Sequence, residues 1–137
     1  EIIMGLDQYA YCVKRCNVID DFNFKRGRLL SDGVTDEFGN DLDFDYWRKF
    51  IPLDRWAYKV YLKKGGKGEF DCAEIKLNKE DLDELYALAQ TDEFYQNGYY
   101  GDAKKERAFE YNHLVEFIKN ATAVIFEGHA IYYSSWR

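Results

Sequence analysis

Asp7 and Glu74 form a carboxylate pair that could share acid–base work if one of them were desolvated. Cys72 would be a nucleophile only with a base beside it, and the two imidazoles, His113 and His129, lie far away in sequence. Ser134 and Ser135 lack the Gly-x-Ser-x-Gly setting that exposes a hydrolase serine on a strand–turn–helix elbow. Cys12 and Cys16 are spaced Cys-x-x-x-Cys, which is not a common zinc spacing, so a Cys12/Cys16/Cys72/His centre is not favoured. Reduced cysteines packed as small hydrophobes, with no metal and no cofactor, are the expectation. Asp32, Asp36, Glu37, Asp41 and Asp43 do not alternate as calcium ligands must, and they read as a solvated acidic loop. The glycine-rich run 63–69 lacks the Lys-Ser/Thr ending of a phosphate loop.

Two features suit binding better than catalysis. Arg55, Lys59 and Lys63 lie four apart and would form a basic stripe along one face of a helix. Tyr95, Tyr99 and Tyr100 lie on a turn bracketed by Gly98 and Gly101, where aromatic rings could be held outward as anchors. Charge is also segregated. Residues 48–67 carry seven Lys or Arg and one acid, whereas residues 32–45 carry six acids and no base. Such segregation can steer a partner or an identical subunit.

The elements that must position these groups are legible in part. Alternation over residues 5–13 predicts a strand, with Leu6, Gln8, Ala10 and Cys12 on one side. Residues 17–43 are polar and turn-rich and read largely as loop. Residues 44–63 read as helix, with Tyr46, Phe50, Leu53, Ala57 and Val60 facing the core and Pro52 marking a kink or a new start. Residues 70–77 predict a strand. Asn78 caps a following helix that buries Leu82, Leu85, Tyr86 and Ala89. A last helix runs from about 103 to 120, or on to about 123, with Tyr111, Leu114, Val115 and Ile118 inward. Residues 122–136 close the chain as one or two strands with a turn near Gly128.

These elements predict one compact α+β domain over residues 1–137, a small antiparallel or mixed sheet packed by about three helices. Met4 is read as the natural start, with Glu1–Ile3 as additions or the product of an upstream start codon. Apolar residues make up 47% of the chain and aromatics 18%, a globular composition with an aromatic core. A net charge of −6 disfavours nucleic acid and anionic membrane as partners. No apolar run has membrane-spanning length and no signal peptide is visible, so the cytosol is the expected compartment.

Four segments together resemble a family of small uncharacterised proteins encoded by phages and prophages. Residues 4–11, MGLDQYAY, resemble that family's opening through Asp7 and Tyr9. Residues 45–56, DYWRKFIPLDRW, resemble its Tyr-Trp-Arg-Lys segment through Tyr46, Trp47, Arg48 and Trp56, with Asp54 where the family usually has His. Residues 70–85 resemble its Cys-containing segment through Cys72, and the turn with Gly98 and Gly101 resembles its aromatic turn. Residues 131–137, IYYSSWR, resemble its ending through Ser134, Ser135 and Trp136. The resemblance implies a phage origin and the cytoplasm of an infected bacterium, but no chemistry. The function expected is therefore that of an accessory protein, non-enzymatic, binding a host or phage protein or its own copy. A small hydrolase-like enzyme acting on a nucleotide or phosphoester, and a minor virion component, stand as alternatives.

Overall fold

The structure, a computed structural model, describes residues 5–96 and 103–137. Strand β1 (Asp7–Val13) leads through a long loop to strand β2 (Asp41–Arg48) and helix α1 (Ile51–Lys63). Strand β3 (Glu74–Leu77), helix α2 (Lys79–Leu88), helix α3 (Ala103–Phe126) and strand β4 (Ala130–Trp136) follow. The sheet order is β2-β1-β4-β3 and every pairing is antiparallel. The architecture is α+β, among the described residues three α-helices against a four-stranded antiparallel sheet.

Each strand shows one face to the helices and one to the long loop, as the two-residue period of a strand requires. The helix side buries Ala10, Trp47, Ile75, Leu77, Ile131 and Tyr133 against Leu53, Ala57, Val60, Leu82, Leu85, Leu114 and Phe117. On the other side Phe24 from the loop packs on Tyr11 and Tyr132. Tyr132 Oη clips that loop down by donating to the carbonyls of Asp20 and Asn23 at 2.6 and 3.0 Å. Asp21 O accepts from Lys76 N at 2.7 Å, so the loop also covers the outer edge of β3.

Several expectations need correction. Residues 44–48 are strand, not helix, and helix α1 begins only at Ile51 with Pro52 in its first turn, where a missing N–H costs nothing. Tyr46 is therefore exposed on the sheet instead of buried on a helix, while Phe50, Leu53, Ala57 and Val60 are buried as expected. The strand predicted over 70–77 is confined to 74–77, because Phe70 O accepts from Ala73 N in a turn. Asn78 does begin α2, with its N–H bonded to the Asp81 carboxylate at 2.8 Å, but Tyr86 faces solvent. Helix α3 runs on to Phe126 and buries Phe117 beside Leu114 and Ile118, leaving a single closing strand after the turn at Gly128.

The acidic loop is not uniformly solvated. Asp36 is buried and accepts from Gly27 N, Phe38 N, Asn40 N and Asn40 Nδ2 at 2.8–3.0 Å. Burial alone would push its carboxyl up, but these donors hold it below the ordinary carboxylate value. The loop thus has a polar core of its own, which lets the 27 residues between β1 and β2, with a single 3-10 turn at Arg15–Asn17, hold one shape.

Candidate functional site: the open aromatic face of the sheet

Antiparallel register determines which of the singled-out residues meet. Asp7 lies opposite Arg48 on one side and Trp136 on the other. Tyr9 lies opposite Tyr46 and Ser134, and Ser134 lies opposite Glu74. Two rows result, Arg48–Asp7–Trp136 and Tyr46–Tyr9–Ser134–Glu74, both on the face away from the helices. The long loop covers the neighbouring part of this face, over Tyr11 and Tyr132, and through Arg26 it also covers the Glu74 end of the second row, where Ser134 is buried; Tyr46, Arg48 and Trp136 stay exposed around Asp7 and Tyr9.

Tyr9 forms the middle of the patch. Its ring centroid lies 5.3 Å from Tyr46 at 54° and 6.2 Å from Trp136 at 70°. The outer rings therefore lean against the central one, and the surface is a ring-lined trough, not a coplanar platform. Tyr46 is 39% exposed and Trp136 48% exposed, so both rings meet solvent. Trp136 does not plug the core, because its position on β4 has the parity of the face away from the helices. Its Nε1 donates to Ser134 Oγ at 3.2 Å.

Asp7 anchors one end of the trough. Its Oδ1 accepts from the Tyr46 hydroxyl at 2.5 Å and lies 3.4 Å from the Arg48 guanidinium. The hydrogen bond to Asp7 raises the Tyr46 phenol above its ordinary value. Arg48 is mostly exposed and pairs with Asp7, not with the acidic loop. At the other end Glu74 is ion-paired with Arg26, whose guanidinium stacks 5.1 Å over Tyr11 and 4.9 Å over Phe24. Burial pushes the Glu74 carboxyl up, and the adjacent Arg26 opposes that shift.

The catalytic candidates are not brought together. Asp7 and Glu74 are separated by two strand spacings and a two-residue offset, roughly 12 Å between their backbones, and each already has partners. Cys72 donates its backbone N–H to Ser135 O, while His129 precedes the opposite end of β4. His113 Nε2 contacts Asp45 Oδ1 at 2.7 Å and its ring stacks on Trp47 at 5.1 Å, on the helix side of the sheet. The hydrogen bond to Asp45 raises the His113 pKa, and burial opposes it. Ser135 is buried on that side too. All three cysteines are free, but only Cys12 is half-buried; Cys16 and Cys72 are exposed, contrary to the expectation of packed thiols. Among the described residues no group of three metal-ligating side chains occurs, and no helix is long and apolar enough to cross a membrane.

The expected docking turn fares differently. Tyr95 is buried, its hydroxyl donating to Ala89 O at 2.8 Å and its ring lying 4.4 Å under the Arg107 guanidinium, so it cannot serve as an outward anchor. Tyr99, Tyr100, Gly98 and Gly101 lie outside the described residues. Arg55 is half-buried and donates to Phe94 O at 3.1 Å, whereas Lys59 and Lys63 are exposed. Arg55 and Lys59 line an open cleft of about 400 Å³ with Trp56, Leu88 and Phe94. Trp56 itself is buried and donates to Glu84 Oε1 at 3.0 Å.

Sequence reasoning named Asp7, Tyr9, Tyr46, Arg48, Ser134 and Trp136 but did not see that they form one surface. It missed Arg26 and Glu74 as a pair, for which the sequence holds no local signal. No family model matches the chain, and neither a curated protein nor a solved structure is significantly similar to it.

Proposed function

We propose that this chain is a non-enzymatic binding protein, a phage-encoded accessory factor that docks on a host or phage protein in the cytoplasm of an infected bacterium. The docking surface in this reading is the open face of the sheet, not the turn at residues 95–102. The observation that supports it is the exposure of Tyr46 and Trp136 beside Tyr9, with Asp7 and Arg48 at the rim. Tyr and Trp present large areas at little cost in side-chain freedom, and charged groups at the rim select the partner.

The test is a paired comparison. Tyr46→Ala with Trp136→Ala should leave the melting temperature within a few degrees, since both rings are partly exposed. The same variant should lose a partner that is captured from infected cells, identified by mass spectrometry and rebound as a purified protein. Lys59→Ala, distant from the face, should keep it. Equal binding of that partner by the wild type and the double variant would overturn the reading.

A further inference from the structure

The sheet face away from the helices contains the same ingredients twice, once under the loop and once in the open. In the first instance the chain fills the position itself: the Arg26 guanidinium lies over the rings of Tyr11 and Phe24 and pairs with the Glu74 carboxylate. In the second instance the rings are Tyr9, Tyr46 and Trp136 and the carboxylate is Asp7. Among the described residues no cation lies over any of those three rings. Arg48, the nearest cation by register, reaches Asp7 only at 3.4 Å and keeps 57% of its side chain in solvent.

We propose that this second position receives an arginine side chain of the partner protein, its guanidinium seated against the trough and paired with Asp7. The inference rests on the docking reading and deepens it by naming what the partner presents. Three facts point to arginine. Aromatic faces attract cations through their negative π-surface, and Trp and Tyr are the strongest attractors. A guanidinium is planar, weakly hydrated and able to stack while donating sideways to a carboxylate, which an ammonium does less well. Arg26 demonstrates that geometry one row away on the same sheet. The chain's net charge of −6 adds a general attraction for a cationic partner. Arg48 then acts as a rim group that swings clear of Asp7 when the incoming guanidinium takes its place.

The decisive experiment uses the whole chain and two small probes, Nα-acetyl-arginine amide and its neutral isostere Nα-acetyl-citrulline amide. Trp136 is the exposed indole and Trp47 and Trp56 are buried, so tryptophan emission reports on the trough. The arginine probe should give a saturable change, weakening as salt is raised. Citrulline should bind at least tenfold more weakly. Asp7→Asn keeps an acceptor for the Tyr46 hydroxyl, so the fold is retained, and it should weaken the arginine probe at least tenfold. Equal responses to the two probes, or an unchanged response in Asp7→Asn, would overturn the inference. If the Tyr46/Trp136 double variant loses the protein partner while Asp7→Asn keeps it and the arginine probe does not compete, docking stands and the arginine assignment falls. If the protein associates with itself and Asp7→Asn abolishes that association, the occupant is a second copy, and the assignment to a different protein falls.

Discussion

The Tyr133 hydroxyl donates to Asp54 Oδ1 at 2.9 Å and so joins the centre of the sheet to the first turn of helix α1. The Tyr133 hydroxyl oxygen in turn accepts from Gln8 Nε2 at 3.0 Å, and Gln8 Oε1 accepts from Phe50 N at 2.7 Å. Arg137 pairs with the other oxygen of Asp54. Burial pushes the Tyr133 phenol far above its ordinary value, so it stays a proton donor across the usable pH range. Tyr133→Phe would leave Asp54 Oδ1 buried without this donor. The expected cost is about 1–3 kcal/mol, read as a lower urea midpoint at unchanged slope.

The His113–Asp45 pair makes stability depend on pH with a definite sign. The folded pKa of His113 is raised, mainly by its hydrogen bond to Asp45, so the protonated imidazole favours the fold. That contribution is fully present below the unfolded value of about 6.5 and is lost as pH rises through the folded value. The stability difference between the wild type and His113→Gln should therefore be larger near about pH 5.5 than near about pH 8.5. An equal difference at both would show that His113 contributes packing on Trp47 and no charge.

The thiols should separate by accessibility. Cys12 is half-buried, and burial pushes it up to about 11, so its thiolate is scarce at neutral pH. Cys16 and Cys72 are exposed. A disulfide reagent at mild pH should label two thiols well before the third, and mass mapping should find Cys12 as the slow one. With all three free, a chelator should leave the melting temperature unchanged.

Removing residues Ile131 to Arg137 should abolish cooperative unfolding. Strand β4 pairs with β1 along its whole length and with β3 on its other edge. Its loss also removes buried Ile131, Tyr132 and Tyr133, and truncating one buried aromatic to Ala already costs about 3–5 kcal/mol. A sharp two-state transition in the truncated chain would contradict the sheet order.

Local signals were readable and long-range ones were not. Asn78 before Leu82 and Leu85 marks a helix start by chemistry confined to a few residues, and α2 begins there. The segment DLDFDYWR alternates with the period of a strand, yet Tyr46, Phe50, Leu53 and Ala57 also fit helical spacing across the junction. Pro52 was the discriminating residue, since it belongs in a first turn and not in an interior. Asp7 and Tyr9, Tyr46 and Arg48, and Ser134 and Trp136 each sit two apart, so each pair shares a face by local geometry alone. That the three pairs share one face depends on register between strands up to 129 positions apart, as in Asp7 opposite Trp136. Tyr95 follows the same logic: a tyrosine beside glycines is locally an exposed type, and only the carbonyl of Ala89 and the side chain of Arg107 reveal it as buried.

The sheet order β2-β1-β4-β3 sets a timetable for synthesis. Strands β1 and β2 can pair as soon as the long loop has left the ribosome, but β3 has no neighbour until β4 arrives. During that interval β1 offers one bare edge, and Ala10 and Trp47 wait for the helices and β4 to cover them. Bringing β4 between β1 and β3 closes loops of long sequence separation late, which makes folding slow relative to helical proteins of this size. The interval of exposed edge and apolar surface is when aggregation competes. Overexpression at low temperature, or a slower translation rate before residue 130, should shift the nascent chain's fate by changing how long β1 stays single-sided.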